Sequence, residues 1–409
     1  MAAAYPTDFE TSPTLDAART LAPLVRELAR AADRERCLSP RMHRALAEAG
    51  IYRMLVPRSA GGDELALPIA LRVVEALAAA DGSTGWCAAI GSGTNAFGAF
   101  MDPVAATETV WADPNSVSAG VFAPVGRALS VDGGYRMSGR WTFASGCANA
   151  SWFFGNCVVL DGDEPRLSEG GERTVLMLAV PMAEARIHDT WQVAGLRGTG
   201  SHDVEVDDVF VPSHRGFRLG RDPSRVPGPL GAFPLMAFLD VYLAVVATGI
   251  TRGALDAVRD GMAARASAPG GDVASLPATI AFELAELEAT ARAARAALFA
   301  SVDPLWVRLA AGESAAPEDG HAVVLASQHA MRAGADVVSR AFRLGGVRAL
   351  FDDHPLQRAL RDAHAVTLHA QFALERTAAA GRQLVAQGVA ASAAAGGGAW
   401  PLSDEGATG

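Results

Sequence analysis

The sequence predicts an α+β protein in which helices come first, strands follow, and a helical bundle ends the chain. Residues 13–112 repeat apolar positions at helix spacing, whereas short runs rich in Val, Phe and Trp begin near Val117. Beyond 234 the chain is alanine-rich and periodic again. The predicted divisions are an N-terminal helical domain (1–115), a central β domain (116–222), a C-terminal four-helix bundle (223–389) and a disordered tail (390–409).

The N-terminal helical domain is predicted from periodicity and from helix-start signals. Leu15, Leu21, Leu24 and Leu28 recur at helix spacing, and Leu65 to Ala80 is a second apolar stretch. Ser39 followed by Pro40 is a typical helix start. Between these segments, residues 55–63 have the proline and glycine content of an irregular loop.

The central domain is predicted to consist of strands. Glycine-containing turns such as Asp132-Gly-Gly134 and Glu169-Gly-Gly171 separate the apolar runs. Residues 174–180 and 203–211 are the clearest strands, and Pro212 should end the second.

The C-terminal region is predicted to be an antiparallel bundle that follows a Pro- and Gly-rich linker at 222–234. Four long periodic segments occupy 235–266, 276–311, 319–343 and 355–388. The tail is rich in Ala, Gly and Ser, which predicts disorder.

Composition excludes several classes of function. The formal net charge is −10 and the pI is about 5.4, which argues against a nucleic-acid partner. The chain has no lysine, so Schiff-base chemistry on a lysine is impossible. The four cysteines form no pair at metal spacing, and no metal is expected. No secretion signal or long uncharged apolar run occurs, so we expect a cytoplasmic protein without a membrane partner.

Three segments could carry chemistry. The first, Gly133 to Gly146, is a hairpin signal followed by an aromatic strand that ends in Ala144, Ser145 and Gly146, where a flat ligand could approach the backbone closely. The alternative is an ordinary core strand. The second segment, 189–202, holds clustered glycines. In the third, 342–369, a glycine pair precedes a helix on which His369 follows Arg361 by eight residues. A lone helical histidine is more often structural.

Taken in this order, three motifs resemble the acyl-CoA dehydrogenase superfamily, and more closely its branch of two-component flavin monooxygenases. They are Gly139-Arg-Trp-Thr-Phe-Ala-Ser-Gly146, the segment from Trp191 to Ser201, and Pro355-Leu-Gln-Arg-Ala-Leu-Arg-Asp362. The resemblance covers about residues 15–388. It implies a central β-barrel between helical domains, a flavin held between barrel and bundle, and a homotetramer.

The resemblance also implies the cofactor-binding residues. The isoalloxazine would be lined by Val121, Phe122, Ala123, Trp141, Phe143, Ala144 and Ser145. The flavin phosphates would be met, partly from a neighbouring subunit, by Arg265, Ser267, Phe342, Gly345 and Gly346.

When this sequence is matched to the family, the proton acceptor that thioester substrates require is missing. The two positions of the family's catalytic glutamate are Ala370 and Leu239, and the neighbouring arginine position is Asp240. In the oxygenase branch, His369 and Ser145 match catalytic residues. The implied reaction uses reduced FMN or FAD from a separate NAD(P)H:flavin reductase, together with O2, to hydroxylate or N- or S-oxidise a small substrate. Ser145 would hydrogen-bond near flavin N5, and His369 would deprotonate the substrate or hold the flavin-bound oxygen.

The segment after Trp86 departs from the branch, because it lacks a histidine that many relatives carry there. Thr94 or Asn95 could replace that histidine, so the expected substrate pocket comprises Thr94, Asn95, Asp240 and His369. The alternative is that the substrate class differs, for example an amine or sulfur compound in place of a phenol. Two other hypotheses stay open: a flavin dehydrogenase or oxidase with Asp240 as an atypical base, and a non-catalytic flavin-binding relative.

Overall fold

The computed structural model describes residues 8–394, and helices form its N-terminal part. Five α-helices precede the sheet: α1 (Pro13–Glu35), α2 (Pro40–Glu48), α3 (Leu67–Ala80), α4 (Gly82–Ala96) and α5 (Pro103–Glu108). Ser12 and Ser39 cap α1 and α2 with their hydroxyls, and each helix begins with proline. Helix α4 is buried along almost its whole length, which places it between the sheet and the bundle.

The central domain is one mixed sheet of eight strands. They are β1 (Ser118–Val131), β2 (Gly134–Ala144), β3 (Trp152–Asp161), β4 (Glu164–Pro165), β5 (Val175–Pro181), β6 (Arg186–His188), β7 (His202–Pro212) and β8 (Gly216–Phe217). The hydrogen-bonded order is β6-β7-β2-β1-β3-β5-β8, with β4 paired to β3, and β1 runs parallel to β3. The sheet curls around its own core, because β5 also contacts β7 without pairing to it.

Trp141 fills the core of this sheet. Its ring is fully buried, lies 5.3 Å from the ring of Phe153, and donates from Nε1 to the carbonyl of Asn156. A Cβ at Gly126 would lie 2.0 Å from the indole, so only glycine fits there.

The C-terminal part is a bundle around a central apolar helix. Its elements are α6 (Pro229–Ala232), α7 (Leu235–Ala266), α8 (Ala278–Ala310), α9 (Pro317–Leu344), α10 (Pro355–Thr367) and α11 (Leu374–Ala394). Gly320 lies against Pro234 and Gly334 against Thr251, so α7 and α9 run parallel. Helix α7 is long and apolar enough to cross a membrane, but 78% of its apolar window is buried inside the fold, as in a core helix.

The last predicted helix, 355–388, is interrupted. Helix α10 ends at Thr367, a short 3-10 turn covers Ala370–Phe372, and α11 begins at Leu374. His369 is therefore not helical; it caps the turn. Helix α11 continues to Ala394, five residues into the predicted disordered tail, and residues 395–409 lie outside the described residues.

Candidate active site

A small chamber, which we call the inner chamber, lies where α4, β1, the start of α7 and the 3-10 turn meet. Its volume is about 50 Å³. Apolar side chains from α4 and α7 dominate its lining, and its residues with polar side-chain groups are Thr94, Tyr242, His369 and Gln371. The full lining is Ala89, Ile90, Gly93, Thr94, Phe97, Phe122, Phe238, Leu239, Tyr242, Leu243, His369 and Gln371.

His369 enters this chamber as a neutral hydrogen-bond donor. Its Nδ1 accepts from the backbone N–H of Gln371 at 3.2 Å, so in the neutral ring the proton lies on Nε2. Burial lowers the pKa of His369 to about 4. The ring lies 5.5 Å from that of Trp86 and 6.4 Å from that of Phe372. The imidazole therefore stays uncharged near neutral pH and presents an N–H.

Ser145 belongs to a chain of buried hydroxyls whose direction the end groups determine. At one end, Trp86 Nε1–H donates to Ser145 Oγ at 3.0 Å. At the other, Thr199 donates to the carbonyl of Leu196 at 2.7 Å. The intervening contacts, Ser145 to Ser201 and Ser201 to Thr199, are both 2.7 Å. Because the hydroxyl hydrogen of Thr199 is already donated to Leu196, Ser201 must donate to Thr199. Ser145 must then donate to Ser201. Ser145 Oγ keeps one lone pair, with which it can accept.

At the end of β2, where the sequence predicts flavin contacts, the backbone turns one side chain outward and keeps two in the sheet core. Phe143 has φ of 66°, which is strained for a residue with a side chain, and its ring is 69% exposed beside Trp191. Ala144 and Trp141 instead point into the sheet core and are fully buried. The expected flavin contact of the Trp141 side chain is therefore not met, because its indole has no free surface.

On the neighbouring strand, the three predicted residues differ in exposure. Phe122 lines the inner chamber, Val121 is buried in the sheet core, and Ala123 is exposed. The strand thus presents one of its three predicted flavin contacts directly to the chamber.

Two of the four expected substrate-pocket residues lie elsewhere. The amide Nδ2 of Asn95 donates to the carbonyls of Tyr52 and Ser116, both at 3.0 Å, so Asn95 ties α4 to neighbouring loops. Asp240 is fully buried, and both its oxygens lie 2.9 Å from Arg376 Nη2. Burial raises the pKa of Asp240, and Arg376 opposes that shift. Of these four predicted residues, Thr94 and His369 line the inner chamber.

The predicted phosphate-binding residues lie at the far end of the bundle from the chamber of the same chain. Arg265 and Ser267 are at the exposed end of α7, and 22 helical residues from Leu243 span about 33 Å. Phe342, Gly345 and Gly346 lie at the C-terminal end of α9, on the same side of the bundle because α9 runs parallel to α7. These five residues can serve a flavin at the inner chamber only if another copy of the chain supplies them.

The donors and acceptors present fit a bound flavin. Gln371 lines the chamber, and its Oε1 is buried without a hydrogen-bond partner, so an acceptor is available for a ring N–H. Ser145 Oγ offers a second acceptor. A Cβ at Gly146, with φ of 74°, would meet nothing within 4 Å, so space is open beside the exposed Phe143. No cluster of metal-ligating residues occurs among residues 8–394.

Comparison with known proteins identifies this architecture. The N-terminal domain family of acyl-CoA dehydrogenases matches residues 15–101, and the C-terminal domain family matches 241–374. The indole-3-acetate monooxygenase of Pseudomonas putida is 34% identical over 340 residues, which are 83% of this chain and 85% of that protein. The chain belongs to the flavin-dependent monooxygenase branch of the acyl-CoA dehydrogenase superfamily.

Two further relatives agree with this membership. The oxygenase component of the FADH(2)-dependent resorcinol hydroxylase of Rhizobium sp. is 34% identical over 372 residues, covering 85% of this chain and 88% of that protein. The crystal structure of 3-HSA hydroxylase from Rhodococcus sp. RHA1 superposes with a TM-score of 0.80 at 28% identity, covering 96% of this chain and 99% of that one.

Several residues of the site were not predicted as such. Thr199 and Ser201 continue the hydroxyl chain from Ser145, Trp86 donates to that chain, and Gln371 offers an acceptor. Asp362 Oδ1 accepts from the N–H of Leu196 at 2.6 Å, which anchors the loop that carries Thr199. Burial and the nearby Asp81 raise the pKa of Asp362 to about 7. In the sequence, the clustered glycines of Gly198-Thr-Gly-Ser201 mark this loop, but they do not show that its hydroxyls bond to Ser145.

Proposed function

We propose that this flavin-dependent monooxygenase inserts one oxygen atom of O2 into a small aromatic substrate held at the inner chamber. The carrying observation is that His369 is a neutral N–H donor in an apolar chamber where no described carboxylate can act as base. Bound reduced flavin, FMN or FAD, supplies the electrons and activates O2. The names of the relatives, which include an indole-3-acetate monooxygenase and a resorcinol hydroxylase, support an aromatic substrate.

His369 acts in this proposal by donating a hydrogen bond to an oxygen atom in the chamber. A general base must accept a proton, but Nδ1 already accepts from Gln371 and the low pKa makes the ring a weak base. Of the two roles expected from the sequence, holding oxygen is therefore favoured over deprotonating the substrate.

Ser145 accepts a hydrogen bond at the flavin edge, because its own proton is committed to Ser201. Reduced flavin carries an N–H at N5, which suits an acceptor. The apolar lining excludes water. It would therefore limit the uncoupled reaction in which O2 oxidises the flavin and is released as hydrogen peroxide without oxidising the substrate.

The dehydrogenase alternative has little support at Asp240. A base must reach the substrate, and this carboxylate is fully buried against Arg376 on a side of α7 that faces away from the chamber lining.

Reduced flavin would come from a separate reductase, as the oxygenase-component name of the resorcinol hydroxylase relative suggests. A homotetramer is part of the proposal. Its support is the distance between Arg265 and the chamber, together with exposed apolar side chains beside the glycine pair: Val347 at 72%, Leu350 at 63% and Phe351 at 52%.

The test compares His369→Gln with His369→Ala. Each variant is loaded anaerobically with reduced FMN or FADH2, mixed with O2, and followed for flavin reoxidation and hydrogen peroxide release. Glutamine keeps an N–H donor but cannot act as a base, so it should retain slow peroxide release, whereas alanine should accelerate it at least tenfold.

Flavin binding, measured separately by ultrafiltration, should be unchanged in both variants. If glutamine behaves like alanine, or if a pH profile shows a group of pKa near 6.5 that vanishes in both variants, the donor role is wrong.

A further inference from the structure

A second cavity adjoins the inner chamber and is more than four times larger. This outer chamber, about 230 Å³, lies beneath the loop at 220–235 and is lined by side chains such as Phe100, Val226 and Leu230. Phe97 and Phe238 line both cavities, with ring centroids 6.3 Å apart and planes at 75°. These two rings therefore form the partition between the outer chamber and the inner one.

The sizes of the two cavities assign different parts of a substrate to them. An apolar cavity of about 150 Å³ holds benzene, so the outer chamber has room for one or two fused rings. The inner chamber, at about 50 Å³, has room only for the edge of a ring that reacts. A substrate would place its body in the outer chamber and its reacting atom past Phe97 and Phe238.

The lining of the outer chamber offers no cation to an anionic substrate. Its ionisable lining residues are Glu64 and Asp222, both acidic, and no arginine lines either chamber within residues 8–394. Two arginines close to the lining are engaged elsewhere: Arg218 pairs with Asp222 at 2.7 Å, and Arg53 donates to the carbonyls of Gly61 and Trp111. A carboxylate buried here would lose its water without gaining a cation from the lining, which is unfavourable.

Resting on the function proposed above, we infer that the substrate is an uncharged aromatic molecule of one or two rings, which the outer chamber binds and which an added carboxylate would exclude. The chain would thus discriminate between two ligands with the same ring system but different charge.

The test uses 3-methylindole and indole-3-acetate, which share one ring system. Protein loaded with reduced FMN is dialysed anaerobically against each probe, and bound probe and retained flavin are both measured. We expect 3-methylindole to bind at least tenfold more tightly. Ala99→Trp, which fills the outer chamber, should abolish that binding without loss of flavin.

A gain-of-function variant tests the charge argument directly. Leu235→Arg places a cation on the outer lining and should raise the affinity for indole-3-acetate at least tenfold. The matched control Leu167→Arg, at a residue 60% exposed in the sheet domain, should change neither affinity. Circular dichroism confirms folding of each variant.

Equal binding of the two probes, preference for the acid, or no binding of 3-methylindole to flavin-loaded protein would overturn the inference while leaving the oxygenase proposal intact. Failure to retain reduced flavin would instead overturn the proposed function itself.

Discussion

Replacing Ser145 with alanine removes the acceptor for the buried indole N–H of Trp86 and also removes the hydroxyl that bonds to Ser201. An unpaired buried donor costs about 1–3 kcal/mol, and the lost Ser145–Ser201 bond about 1 kcal/mol more. The free energy of unfolding should therefore fall by about 2–4 kcal/mol. Trp86→Phe removes the N–H itself, so in the double variant no donor is left unpaired.

Urea unfolding followed by circular dichroism should show that the double variant loses about 1–3 kcal/mol less than the sum of the two single losses. The exposed Ser213→Ala is the control and should change stability by less than about 0.5 kcal/mol. Strictly additive losses would refute the Trp86–Ser145 hydrogen bond and, with it, the Trp86 end of the hydrogen-bonded chain.

Three other outcomes follow from the geometry. Arg376→Met should destabilise the fold by about 3–5 kcal/mol because it leaves the Asp240 carboxylate buried and unpaired, while Asp240→Asn combined with Arg376→Gln should recover most of that loss; full recovery of stability without activity would revive Asp240 as a base. His369 has a folded pKa of about 4, below its unfolded value, so its contribution to stability is complete above pH 6.5 and falls by about 2 kcal/mol on acidification to pH 5. Urea midpoints should show this component in the wild type but not in His369→Gln, and identical acid slopes would contradict the assignment. Arg265→Ala should weaken flavin retention without altering the circular dichroism spectrum, whereas unchanged retention would remove Arg265 from the flavin site.

The sequence predicted the class and order of the elements because hydrophobic periodicity differs between helices and strands. It could not predict the interruption after Thr367, since residues 356–380 contain no proline or glycine. One tertiary and one local contact hold the chain at that break: Gln328 Nε2 donates to the carbonyl of Gln371 at 2.6 Å, and His369 caps the turn. The break is what brings His369 to the chamber.

The strand end shows a second limit of prediction from sequence. Trp141 and Phe143 are two residues apart and would share a face in a regular strand. The pairing of β2 with β7 is irregular between Trp141 and Ala144, and the positive φ of Phe143 turns its ring outward. Alternation alone would therefore assign both aromatic rings to one environment, whereas the structure buries Trp141 and exposes Phe143.

Two residues predicted for the substrate pocket are only sequence neighbours of residues that line the inner chamber. Asp240 and Asn95 follow Leu239 and Thr94, which do line the chamber, but one helical step rotates a side chain by about 100°. Their neighbours Arg376 and Tyr52 come from distant parts of the sequence, so only the assembled fold reveals what each polar group bonds.

The central claim is that the protein binds flavin already reduced and controls its reaction with O2. Anaerobic titration with FMNH2 or FADH2, followed by rapid mixing with O2, tests it most directly. The account predicts that reduced flavin binds more tightly than oxidised flavin and is reoxidised more slowly than free reduced flavin. Reduction of protein-bound oxidised flavin by an acyl-CoA under anaerobic conditions would contradict it.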